Sequence, residues 1–174
     1  FGRRWMSIEP SEVYSITLYQ IGALDAIVRG EGGQLSHVKP HGALYHMAAH
    51  DAAIANAFVQ AVVAFDSPIE LYAPPNSQLA RRGTEEGVRV MVEAFADRRY
   101  RADGSLVQRD QPDSVIDDPD EAVSIVRKLI AEGTIQTVDG GEISLKPDTI
   151  CIHADTPNAA KIARKIGVVL GSRK

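Results

Sequence analysis

Three separate stretches of this chain read as short apolar strands, and each ends in ionisable residues. They are Ser36-His37-Val38-Lys39-Pro40-His41, Val90-Met91-Val92-Glu93-Ala94-Phe95-Ala96-Asp97-Arg98 and Ile150-Cys151-Ile152-His153-Ala154-Asp155. Side chains alternate faces along a strand. One parity then carries His37, Lys39 and His41, next Glu93 and Asp97, then Cys151, His153 and Asp155. The other carries Val38, Val90, Val92, Ala94, Ala96, Ile150 and Ile152. A polar face that recurs three times, densest at the carboxyl ends, points to a parallel α/β sheet or barrel with an active site at that end.

Helical periodicity fills the intervals. Val13, Ile16, Leu18, Ile21, Leu24, Ile27 and Val28 recur at helical spacing up to Gly30. Ser7 is the cap candidate, with Pro10 in the first turn and Glu9 and Glu12 at the positive end of the dipole. Patterning predicts strands near 35–39, 68–73, 88–95 and 149–153, and further helices near 51–65, 76–82, 119–132 and 158–170. Gly83 is read as the end of the 76–82 helix, and Asp118 and Gly133 bracket the one that follows. Asp103-Gly104 and Asp139-Gly140-Gly141 are read as hairpin turns. Strands alternating with helices imply right-handed βαβ units. Four principal strands are too few for a closed barrel, which takes roughly eight. The reading is therefore an open sheet, or a barrel whose first strands are absent from this sequence.

A chain of 174 residues is expected to form one α/β domain over 1–174. The net charge of −4, with no basic stripe, argues against nucleic acid or an anionic membrane as partner. A single cysteine forbids an internal disulfide and fits a reducing cytoplasm. The longest apolar stretch, 52–65, contains Asn56 and Gln60 and is too short to span a bilayer. Phe1-Gly2-Arg3-Arg4-Trp5 leads into no apolar segment of a signal peptide. The sequence holds no P-loop, no Gly-x-Ser-x-Gly elbow and no zinc-type cysteine pairs.

An ammonium on the inner parity of a strand, Lys39, needs a partner: Glu93 or Glu70, or an anionic group of a ligand. Glu93 deep in its strand must be paired or neutral. Asp97 is either a catalytic carboxylate or a helix cap. His153 and Asp155 share a parity at a strand end and form the strongest pair, while Cys151 on the same face reads as packing. His37 with His41, and His46 with His50, have a spacing of four that would share a helix face, though Pro40 argues against a helix for the first pair.

Lys39-Pro40-His41-Gly42-Ala43-Leu44-Tyr45, Glu93-Ala94-Phe95-Ala96-Asp97-Arg98 and Ile152-His153-Ala154-Asp155-Thr156-Pro157 resemble the signature segments of the LamB/YcsF family, the A subunits of 5-oxoprolinase. So do Phe1-Gly2-Arg3-Arg4, Tyr19-Gln20-Ile21-Gly22-Ala23-Leu24 and Asp113-Ser114-Val115-Ile116. The sequence departs from the family in lacking an N-terminal segment with an acidic first strand and a Gly-Phe-His-Ala-Gly-Asp motif. It also has Ala154 and His46 where Gly and Asn are usual. The resemblance implies a distorted (β/α) TIM-like barrel of the glycoside hydrolase/deacetylase type, here lacking its N-terminal strands, and inactive by itself. It implies ATP-dependent opening of 5-oxo-L-proline to L-glutamate with two further subunits, of B and C type; a homo-oligomer is also compatible.

Lys39, His41, Asp97, His153 and Asp155 are expected to be catalytic. Arg4, Gly42, Tyr45, Glu93, Arg98 and Thr156 are expected to bind substrate. His41, His153 and Asp155 are the candidates for a metal, whether magnesium with ATP or a transition metal. A metal-dependent amidohydrolase or carbohydrate deacetylase without ATP, and a non-catalytic scaffold or binding protein, are the alternatives.

Overall fold

Parallel pairing runs through the main strands of this structure, a computed structural model that describes residues 4–171. Phe1, Gly2 and Arg3 lie outside the described residues. The chain divides into two compact units, Phe1–Val92 and Glu93–Lys174. The division falls inside a strand, not in a linker.

The first unit holds α1 (Pro10–Gly30), β1 (His37–Val38), α2 (Ala43–His50), α3 (Ala52–Ala64), β2 (Glu70–Ala73) and α4 (Gln78–Glu85). It also holds the first half of β3 (Val90–Phe95). β1 pairs with β2 with His37 opposite Glu70, and β2 with β3 with Leu71 opposite Val90, both parallel. Its core gathers Val13 and Ile21 of α1, Ile54, Phe58 and Val62 of α3, and Leu71 and Leu79. α3 buries so much of itself because apolar residues surround nearly its whole circumference.

Local chemistry explains several departures from the predicted elements. α1 is capped at Glu9, not Ser7, and the Glu12 carboxylate accepts the Glu9 amide at 3.3 Å. The predicted 51–65 helix is preceded by an unpredicted one, α2. Asp51 separates the two by accepting the amides of Ala53 and Ile54 at 2.8 and 3.1 Å. His46 and His50 therefore ride on α2. α4 passes through Gly83 instead of stopping there, because the glycine serves close approach. A Cβ at that position would lie 2.8 Å from a Val90 methyl and 2.9 Å from a Leu71 methyl.

The second unit begins within β3 and continues with α5 (Pro119–Glu132), β4 (Thr134–Gln136), β5 (Glu142–Ser144), β6 (Thr149–Cys151) and α6 (Ala159–Gly171). Glu93 to Phe95 of β3 pair in parallel with Thr149 to Cys151 of β6. α5 follows its sequence signals: Asp118 accepts the amides of Asp120 and Glu121 at 2.8 Å, and Gly133 closes the helix at φ 69°. β4 and β5 form the predicted hairpin around Gly140. Ala96, Ile116, Val126, Ile162 and Ile166 make this unit's core.

Parallel strands alternating with helices make this an α/β fold, consistent with the TIM-like expectation. Among the described residues no single helix is long and apolar enough to cross a membrane.

Candidate active site

The chain leaves β3 at Phe95, and Asp97 follows two residues later, fully buried. A carboxylate there must be held by donors. Its Oδ2 accepts the His153 amide at 2.8 Å and the Thr156 hydroxyl at 2.7 Å, and His153 Nδ1 lies 3.1 Å from both oxygens. Burial alone would push this carboxyl up. The hydrogen bonds from the His153 ring, the Thr156 hydroxyl and the His153 amide, with the charge of the imidazole, outweigh it and hold Asp97 below the ordinary 3.8.

An ionised carboxylate can only accept, so His153 Nδ1 must carry the proton. In the neutral ring Nε2 then keeps its lone pair. The Phe95 ring stacks on the imidazole with centroids 5.4 Å apart and planes 12° apart, fixing its tilt. Phe95 is in turn held by its amide, which donates to the Tyr100 hydroxyl at 2.9 Å. Burial pushes the Tyr100 phenol far up, so it stays neutral. The result is a base aligned by a buried anion, with part of the His153 side chain (29%) reaching solvent. Such an imidazole can take or give a proton at Nε2.

The expected pairing of His153 with Asp155 is replaced by this one. β6 ends at Cys151, so His153 and Asp155 lie beyond the strand and the parity argument fails for them. Residues 153–156 form a tight turn instead, closed by the Thr156 amide on the His153 carbonyl at 3.1 Å. Asp155 is exposed and salt-bridged to Arg109 at 2.8 Å. Thr156 is buried, with its hydroxyl on Asp97. Asp97 caps no helix. Arg98, expected at the substrate, is buried and donates to the carbonyls of Ser114 and Val107 at 3.3 and 2.5 Å, tying down the loop after β3. Burial, and then the Arg109 guanidinium nearby, pull Arg98 below the usual arginine range, with Asp97 opposing. Glu93 is buried at the start of the second unit, and Cys151 is half-buried.

In the first unit β1 is only two residues long, so Lys39 and His41 stand in the loop that follows it, not on a strand face. Pro40 explains the early end. Lys39 Nζ lies 5.3 Å from the centroid of the buried Tyr45 ring, a cation–π approach. The Glu70 carboxylate is engaged by Arg89 at 2.9 Å. Gly42 opens α2 at φ 61° and ψ −133°, a conformation closed to most side chains. His41, Gly42 and Arg4 are exposed, and His37 stacks on Tyr72 at 4.2 Å.

Sequence reading missed Arg109, the role of Thr156 and the ring contact of Phe95. Only spatial proximity joins them, since Asp97 and His153 lie 56 residues apart. Among the described residues no three His, Cys, Asp or Glu side chains form a group able to hold a metal ion. One of the three metal candidates, Asp155, is bonded to Arg109. The chemistry proposed for this site passes through no metal.

The LamB/YcsF family profile matches residues 1–174. A protein of Oceanobacillus iheyensis, named as the A subunit of 5-oxoprolinase, is 50% identical over 166 residues, 95% of this chain and 65% of that protein. One of the two 5-oxoprolinase A subunits of Bordetella bronchiseptica is 44% identical over 170 residues, 98% of this chain and 68% of that protein. The chain thus spans about two thirds of the length of these relatives. The crystal structure of a lactam utilization protein from Thermus thermophilus superposes with a TM-score of 0.89 at 42% identity, covering 98% of this chain and 69% of that one.

Proposed function

The chain belongs to the LamB/YcsF family, and on that premise we propose that it serves in the A subunit of an ATP-dependent 5-oxoprolinase. In this reading the assembled enzyme opens the lactam of 5-oxo-L-proline to L-glutamate, releasing ADP and phosphate. It works in the cytoplasm with B-type and C-type subunits, on a barrel of the glycoside hydrolase/deacetylase type. The observation that carries the proposal is the alignment of His153 by buried Asp97, in a chain whose relatives are named as A subunits of 5-oxoprolinase.

A five-membered lactam resists water because amide resonance is lost in the transition state. Transfer of the terminal phosphoryl of ATP to the lactam oxygen makes that oxygen a leaving group, which is the chemical reason to consume ATP. Water then adds at the carbonyl carbon, the ring C–N bond breaks to leave a γ-glutamyl phosphate, and a second water cleaves that acyl phosphate to L-glutamate and phosphate. Nε2 of His153 takes the proton of the water and returns one to the ring nitrogen. Asp97 stabilises the imidazolium that forms in between. Lys39 supplies a cation for the substrate carboxylate or the phosphorylated oxygen. ATP enters as a co-substrate. The sequence has no P-loop, so the phosphoryl step is assigned to the assembly and to no residue of this chain.

Lys39→Ala in the proposed assembled enzyme should raise KM for 5-oxoproline by about 10–100-fold, the value of one charge-assisted hydrogen bond. Unchanged kinetics would show that Lys39 holds no group of the substrate. One observation favours a second reading, an amidohydrolase or deacetylase that needs metal but no ATP. A carboxylate on Nδ1 with Nε2 directed outward is also how metal-bound histidines are oriented. Glutamate release without ADP release would select that reading and reject the first.

A further inference from the structure

We propose that Arg109 is a positioning residue for His153, acting through Asp155 to hold the 153–156 turn from its solvent side. The proposal rests on the reading that His153 does the proton transfer. The turn is fixed at three points. Buried Asp97 holds its first residue, by the His153 amide and ring, and its last, by the Thr156 hydroxyl. Arg109 holds its third, bonding Asp155 Oδ1 at 2.8 Å.

A surface ion pair is ordinarily of little consequence, but two features set this one apart. It joins loops 46 residues apart, and the loop that carries Arg109 is itself rigidly built. The Ser114 hydroxyl donates to the Arg109 carbonyl at 3.0 Å, and buried Arg98 grips the carbonyls of Val107 and Ser114 on either side. The backbone that carries this guanidinium is fixed by these bonds, so the bond to Asp155 ties the loop's position to the turn. With Arg109 gone, Asp97 would still hold the two ends of the turn, but the middle of the turn, at Asp155, would lose its tie from the solvent side.

Hydrogen exchange and ring NMR on this chain test the idea apart from activity. Arg109→Ala should speed amide exchange of Asp155 and Thr156 by about two- to fivefold, the weight of one exposed ion pair. It should also shift the ring resonances of His153, while α5 and α6 keep their protection. Arg109→Lys should restore part of both, and the exchanged pair Arg109→Asp with Asp155→Arg most of the protection. Unaltered exchange and ring resonances in Arg109→Ala would overturn the proposal. So would an equal loss of protection across α5 and α6, which would mean a general structural role. In the assembled enzyme Arg109→Ala should lower kcat more than it raises KM. If His153→Gln kept full turnover, the catalytic reading would fall, while the exchange result would still report whether Arg109 holds the turn.

Discussion

In the 5-oxoprolinase assembly proposed above, Asp97→Asn should lower turnover of 5-oxoproline by about 10²–10⁴-fold with the fold intact. The size of the effect comes from the tautomer. Ionised Asp97 accepts the Nδ1 proton at 3.1 Å and leaves the Nε2 lone pair for the substrate water. An asparagine amide placed against Nδ1 can donate instead of accept. The ring would then shift its proton to Nε2, where it can no longer act as a base. His153→Gln should fall into the same range, because it removes the proton carrier itself. The double variant should be little worse than either single one, since both break one device. Steady-state release of glutamate and ADP, with circular dichroism to verify folding, measures all three. Additive losses would mean that the two residues act separately.

Removing the carboxyl outright should be the most damaging change to stability. Asp97→Ala strips the acceptor from the His153 amide, the His153 ring and the Thr156 hydroxyl in a fully buried position. The expected loss is about 3–5 kcal/mol, the cost of stranding the partners of a buried charge. Urea unfolding of this chain and its variant gives the value. The same carboxyl sets a pH dependence. Its acidity in the folded chain is stronger than the ordinary 3.8, so the unfolded state binds its proton more readily. That contribution is complete above the unfolded value and is lost as pH falls below about 4, through the lower folded one. Stability of the parent chain should therefore decline on that acid limb more steeply than that of Asp97→Asn, which has no such proton to bind.

How legible this was in the sequence depended on whether a signal was local. Caps are local, and Asp118 and Gly133 bound α5 where the sequence places them. Parallel β3 and β6 were legible because buried strands are apolar runs. α2 was not, since Pro40 and Gly42 read as a loop and eight residues give little periodicity. Gly83 misled because a glycine demanded by close packing is spelled the same way as one that ends a helix. For the site, ionisable residues clustered at the ends of apolar runs marked Asp97 and His153, though each stands just past its strand. Alternation could not say that His153 would choose a carboxylate 56 residues away over its neighbour Asp155. That choice follows from the turn at 153–156, which sends Asp155 outward to Arg109 and draws Thr156 inward to Asp97.

The tautomer of His153 is the point on which the chemistry turns, and ¹⁵N correlation spectra of the imidazole nitrogens read it directly. In the folded chain, with the ring neutral, Nδ1 should carry the proton and Nε2 should have the shift of an unprotonated nitrogen, with Asp97→Asn reversing the two. A ring protonated on Nε2 in the parent chain would contradict the account.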